Sequence, residues 1–178
     1  MEQPRYKPGD ILVFNPNFND TEFNGAVILV LASGSSTVGV NIASGQITGG
    51  LFKGGPIPAP DVVMVHPTAF SIPTSIPVGK SGYAMTPMSD YDRTAELILK
   101  KPHPSIVLAG YAGWSPGQLE SEVDNGLWRK SNITIDELMR TYPSNRWNLA
   151  ASSVEDAAPK PAPKPPQQPG SSRNSPRF

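Results

Sequence analysis

His66 and His103 are the chain's only histidines, and each is followed by proline. Imidazole is the side chain best suited to moving protons near neutral pH. His66, at the end of an apolar run, is therefore the candidate general base. The commoner role for a histidine at a strand end is to hydrogen-bond a loop. A Ser-His-Asp hydrolase also needs a serine exposed on a sharp turn, and no G-x-S-x-G elbow occurs. His103, between Pro102 and Pro104 in an expected surface turn, is the weaker candidate. Among the closely spaced carboxylates are Asp90/Asp92 and Glu120/Glu122. On a helix, residues i and i+2 do not face each other, so Glu120 and Glu122 cannot act together on one bond. Near a helix N-terminus the macrodipole favours them, a structural role that suffices for at least one of the two.

Cysteine is absent, so thiolate nucleophiles, thiolate metal sites and disulfides are excluded. Two histidines and scattered acids offer too few ligands for a metal centre, and no metal is expected. The glycine-rich stretch TGGLFKGGP, residues 48–56, has neither Walker spacing nor the G-x-G-x-x-G pattern, and no cofactor is expected. Lys53 beside Gly54 and Gly55 could meet an anion. Glycines that let two backbones approach closely explain that segment better.

The elements that must position these residues can be read from composition and pattern. At 178 residues the chain has room for one domain with a sizeable core plus an appendage. Hydrophobic residues make up 38% and charged residues 17%, both low for a globular chain, and 21 prolines and 16 glycines fill the difference. Much of that proline lies in residues 157–178, a stretch that cannot bury enough apolar surface to offset its ordering entropy. It is expected to be a disordered or polyproline-like tail, leaving residues 1–156 as the folded domain. Pro163 and Pro166 have the spacing of segments that dock in aromatic grooves.

The formal net charge is zero, but residues 1–156 carry fifteen acids against eleven Lys and Arg, a balance of −4. The tail carries Lys160, Lys164, Arg173 and Arg177 and no acid, a balance of +4. An acidic folded part makes no electrostatic case for nucleic acid or an anionic membrane. The opening MEQPRYKPGD lacks an apolar signal region, and no run approaches the ~20 apolar residues of a membrane span. A cytoplasmic protein is expected.

Strands are expected at residues 11–14, 27–32 and 37–42, the last two forming an antiparallel hairpin across Ser33-Gly34-Ser35-Ser36. Residues 43–60 read as loop, 62–65 as a buried strand, 67–88 as short strand pieces and turns, and 106–109 as another buried strand. Residues 89–100 read as a helix capped by Ser89 or Asp90, with Ala95, Ile98 and Leu99 as its apolar stripe. The best-signalled helix starts at Ser115 as N-cap, with Pro116 at the first helical position and Gln118 completing a capping box. Leu119, Val123 and Leu127 are its stripe, and Gly126 lies near its end. Thr134 with Glu137 repeats the box, and a last helix from Ser144 carries Trp147, Ala150 and Val154. Strands first, then mixed units, then helices point to an α+β fold.

The segment GYAGWSPGQLESE, residues 110–122, followed by Trp128, resembles the signature of the YqgE/AlgH family (UPF0301, DUF179). These are small bacterial proteins of unsettled biochemical role, some designated transcriptional regulators. The resemblance covers roughly residues 9–150. Gly54-Gly55-Pro56 up to His66 matches the family's GGP…LH segment, and Pro16, Asp20, Phe23 and Val27 match its N-terminal pattern. The family's serine before that valine is Ala26 here, and Ile42-Ala43 replace a basic residue and proline after Asn41. The resemblance implies a curved, largely antiparallel sheet closing toward a barrel, with flanking helices and no established catalytic set. It makes Asn41, Gly54, Gly55, His66, Gly110, Gly113, Gln118 and Glu122 candidates for a shared surface binding pocket. Turns and caps account for Pro116 and Gln118; Glu122 and Gly113 are left without a sufficient structural role.

The expected function is a non-enzymatic binding or regulatory module with a protein partner. One alternative is a structural or accessory protein, phage-encoded for instance, that uses its basic tail as a tether. The other is a cryptic hydrolase using His66 with a backbone-amide anion site at Gly54 and Gly55.

Overall fold

The computed structural model describes residues 5–18 and 23–155; Asp20 and the proline-rich tail lie outside them. The first half supplies β1 (Ile11–Phe14), β2 (Val27–Ser33), β3 (Thr37–Asn41), β4 (Gln46–Thr48), β5 (Leu51–Lys53), β6 (Val63–Pro67), β7 (Ile76–Pro77) and β8 (Tyr83–Pro87). The second half alternates: α1 (Tyr91–Lys100), β9 (Ile106–Ala109), β10 (Ala112–Trp114), α2 (Gln118–Asp124), β11 (Trp128–Ser131), α3 (Ile135–Met139) and α4 (Pro143–Ala151). The strands form a five-stranded sheet, β10-β3-β2-β1-β11, and a six-stranded sheet, β4-β5-β9-β6-β8-β7. The result is an α+β fold with a curled, largely antiparallel half-barrel sheet. Among the described residues, β5 with β9 is the one parallel pairing.

Alternation along β1 and β2 explains the layering. Ile11, Val13, Val27 and Leu29 face a core shared with Val65, Ile106 and Leu108 of the six-stranded sheet and with Ile135 and Leu138 of α3. Leu12, Phe14, Ile28 and Val30 face the other way, into a second core with Trp114, Leu119 and Trp128. Strands buried on both faces read as continuous apolar runs, which is how 11–14 and 27–32 appear in the sequence. The far side of the six-stranded sheet is covered by α1, where Leu97 meets Met64 and Ile72.

Four readings of the sequence need correction. Residues 43–60 are not all loop, since β4 and β5 lie within them as short strands at one margin of a sheet. The stripe expected on α1 is turned outward: Thr94 and Leu97 are buried, whereas Ala95, Ile98 and Leu99 are exposed. Thr94 can sit inside because its hydroxyl donates to Asp90 O at 2.7 Å. Asp90 is the cap, accepting from Arg93 N. The helix after GYAGW starts at Gln118, because Ser115-Pro116-Gly117-Gln118 is a turn closed by Gln118 N to Ser115 O at 3.0 Å. Proline second and a glycine at φ 78° third is the type II pattern, which competes with a helical first turn. Finally, α4 stops at Ala151, and Val154 bridges to Ser131 at the edge of the five-stranded sheet.

Candidate functional site

The candidate residues fall into three places in the fold. In the first, Glu122 on α2 is buried and its carboxylate is an acceptor for three donors. Trp114 Nε1 and Trp128 Nε1 donate to Oε1 at 3.3 and 2.9 Å, and Gln118 Nε2 donates to Oε2 at 3.0 Å. The two indoles meet edge to face, with centroids 5.7 Å apart. Ser115 N and Oγ both donate to Gln118 Oε1 at 3.1 Å, which extends the chain of bonds to the type II turn. A buried carboxylate costs heavily unless it is hydrogen-bonded, and here it is. Glu122 therefore ties α2 to the ends of β10 and β11, a structural role that reading the residues singly did not reveal. The signal was present in the spacing, since two indole donors flank one acid at i−8 and i+6.

In the second place the two sheets meet. Asn41 N donates to Gly54 O at 2.8 Å, and Asn41 Oδ1 accepts from Val27 N at 3.2 Å and Ala43 N at 3.0 Å. Gly54 N donates to Ala109 O, while Ile57 and Tyr111 exchange backbone hydrogen bonds at 2.9 and 3.0 Å. The crossing backbones leave no room for side chains: a Cβ on Gly54 would strike Gly110 O, and one on Gly55 the Tyr111 carbonyl. This is the close approach expected from the glycines. Gly110, at φ 79°, turns the chain from β9 into β10. Gly113 lies within β10 opposite Val38, between the junction and Trp114. β10 thus connects the first place to the second.

His66 stands apart from both. It is buried with no exposed surface, and its Nδ1 lies 2.9 Å from Pro67 O, so Nδ1 carries the proton and donates. Nε2 then accepts from the Thr86 hydroxyl at 2.7 Å. Thr86 Oγ1 in turn accepts from Ser75 Oγ at 2.7 Å, and Ser75 Oγ accepts from Ile72 N at 2.9 Å. Burial lowers the pKa of His66, and the Pro67 carbonyl offsets this only in part. The neutral form is therefore the folded one. Its stabilising contribution is complete above the unfolded histidine value of 6.5 and is lost as pH falls from there through the lowered folded value. Urea titrations at stepped pH should show wild type losing stability across this interval more steeply than His66→Asn. Equal slopes would mean that His66 does not carry the effect.

Sequence reasoning missed Arg146. It is buried on α4 without a carboxylate among its hydrogen-bond partners. Nε donates to Leu138 O at 2.8 Å and Thr141 O at 3.1 Å, Nη1 to Ile42 O at 2.7 Å, and Nη2 to Met139 O at 3.3 Å. Burial pulls the guanidinium down to about 10, which still leaves it charged at neutral pH. It caps the C-terminal carbonyls of α3 and reaches the exit of β3. The signal was its place four residues before Ala150, on the stripe that α4 buries.

Among the described residues, no group of three or more His, Asp or Glu is placed to hold a metal ion, and no helix is long and apolar enough to cross a membrane.

The AlgH-like family, DUF179, matches residues 11–158, nearly the whole described domain. The chain belongs to the AlgH-like family. A UPF0301 protein of Streptomyces avermitilis is 30% identical over 78% of this chain and 82% of its own length. UPF0301 proteins of Thioalkalivibrio sulfidiphilus and Caulobacter vibrioides are 31% and 36% identical over 58% and 57% of this chain. Those two alignments span only 55% and 52% of the relatives' own lengths. Two solved structures share the AlgH-like fold. The solution structure of AlgH from Pseudomonas aeruginosa has a TM-score of 0.68 at 22% identity, over 86% of this chain and 91% of that one. A crystal structure of a Corynebacterium diphtheriae protein has a TM-score of 0.66 at 25% identity, over 83% and 86%.

Proposed function

We propose that this AlgH-like chain is a non-enzymatic binding module that works through a protein partner. The observation that carries this reading is the state of His66, sealed from solvent with both ring nitrogens engaged inside the fold. A general base must reach the proton it removes. Glu122, the other chemically suggestive side chain, is likewise occupied inside the protein by two indoles and an amide. Of the candidate binding residues, Gly55, Gly110, Gly113 and Gln118 are half-buried, so that set reaches the surface along β10, from the sheet junction to the start of α2. A partner bound there would meet backbone and the neighbouring side chains.

The test is a turnover screen of the intact chain against ester, phosphoester, amide and glycoside panels. The expected result is no turnover above the protein-free blank. Turnover that disappears in His66→Asn, with wild-type circular dichroism, would overturn the reading in favour of the hydrolase.

A further inference from the structure

We propose that the segment following Glu155 closes onto the free edge of β11, where Ala157 exchanges both of its main-chain hydrogen bonds with Trp128. In an antiparallel pair, main-chain groups face the partner strand at every second residue. The register therefore tells which edge of β11 each group serves. Leu127 O accepts from Asn15 N, and Arg129 and Ser131 stand opposite Val13 and Ile11. Arg129 and Ser131 thus turn their N–H and C=O toward β1, and Trp128 and Lys130 turn theirs outward. The outward edge is in use at Lys130, whose O accepts from Glu155 N at 2.8 Å. Asn132 N donates to Ser153 O at 2.7 Å, which sets Val154 opposite Ser131.

Trp128 is left over. The residue is 1% exposed, yet among the described residues neither its N–H nor its O has a hydrogen-bond partner. Lys130 N–H, on the same edge, has none either. Buried main-chain groups are nearly always paired. Continuing the register from Val154 brings Ala157 opposite Trp128, with its N–H and O turned toward it, so closure satisfies all three groups. One residue earlier, Asp156 falls opposite Arg129, in a pair of the closer, non-hydrogen-bonded kind. Arg129 is exposed and has no ion-pair partner among the described residues. The adjacent facing pair is likewise of opposite charge, with Lys130 Nζ 3.6 Å from Glu155 Oε1. Opposite charges directly across a ladder favour the pairing. Beyond Trp128 the ladder ends from both sides. Gly126 N donates to Val123 O and Gly126 O accepts from Asn15 Nδ2, and Pro159, which would face it, has no N–H to give. The occupant is the chain's own next segment, because Glu155 is bound at this edge and the groups to be filled lie within two residues of it. This goes beyond the binding-module reading and survives the failure of that reading.

Solution NMR on the full chain reads the pairing directly. In a non-hydrogen-bonded pair the two α carbons are only about 4.5 Å apart, so a strong cross-peak between the Hα atoms of Arg129 and Asp156 is expected. Ala157→Pro keeps an extended backbone but removes the donor, and should speed hydrogen exchange at the Trp128 amide by about tenfold. Ala158→Pro is the matched control, because the N–H at 158 points away from β11, and its Trp128 amide should exchange as in wild type. Arg129→Glu should weaken the cross-peak, and adding Asp156→Arg should restore it. Absence of the cross-peak in wild type overturns the proposal. So does a Trp128 amide that exchanges equally in Ala157→Pro and Ala158→Pro. A cross-peak that forms only between differently labelled copies, in a species of twice the mass, also overturns it, since the segment would then belong to a second copy.

Discussion

Glu122→Leu is expected to lower the free energy of unfolding by about 3–5 kcal/mol, because it strands two buried indole donors at ~1–3 kcal/mol each along with the Gln118 amide. Leucine is close in size, so the loss comes from unmet hydrogen bonds rather than a cavity. Both tryptophans lie at 1–2% exposure, where water cannot replace the carboxylate. Glu122→Gln keeps an acceptor facing Trp114 and Trp128 but gives up the charge assistance, and should cost about 1–2 kcal/mol. Urea denaturation followed by tryptophan fluorescence measures both variants. If the leucine variant stayed within about 1 kcal/mol of wild type, the carboxylate would not be the tie between α2 and the five-stranded sheet. Trp114→Phe and Trp128→Phe should each be milder than Glu122→Leu, since each removes one donor and leaves the acceptor its others.

Arg146→Met should be of similar size, about 3–5 kcal/mol, from buried carbonyls left unsatisfied at ~1–3 kcal/mol each. Four carbonyls, of Ile42, Leu138, Met139 and Thr141, lose the guanidinium at once, and of these Leu138 O keeps the Thr141 amide at 3.1 Å. Methionine fills much of the volume and adds no donor. Against this, removing a buried charge relieves its desolvation, which sets the upper end of the range. Arg146→Lys should fall between, because an ammonium has three donors but not the planar fork that spans α3 and β3. Hydrogen exchange offers a local readout: amides of α3 and of the β3 exit should lose protection before those of β6 and β8. Uniform loss of protection across both sheets, or wild-type stability in Arg146→Met, would show that Arg146 does not hold this corner.

The parts of the fold legible in the sequence were those set by local patterning. The runs at 11–14, 27–32 and 106–109 are strands because their residues are apolar on both faces, and the Thr134 cap is visible in its own side chain, which accepts from Glu137 N at 3.3 Å. What escaped notice depended on distant partners. β11 carries Arg129 and Lys130 between Trp128 and Ser131, a pattern whose meaning appears only when it pairs with β1. The stripe of α1 could not be oriented from periodicity, since an apolar arc of half the circumference permits several orientations against the sheet. GYAGWSPGQLESE was recognisable as a signature, yet its chemistry was not, because the acid that organises it lies between two tryptophans rather than beside them. Local rules also competed: Pro116-Gly117 supports both a helix start and a type II turn, and the turn prevailed.

The antiparallel contact of β1 with β11, Ile11 against Ser131 and Phe14 against Trp128, bears on how the chain leaves the ribosome. β1, β2 and β3 are made while the strands that flank them in the finished sheet, β10 and β11, are still to come, and β1 and β2 are apolar on both faces. At ~5–20 residues per second, the roughly 100 residues between β2 and β11 take on the order of 5–20 s to synthesise. For that time Leu12, Phe14 and Ile28 lack the tryptophans that cover them later. The five-stranded sheet can therefore close only once β11 has been made, and until then the apolar faces of β1 and β2 are those a chaperone would have to shield.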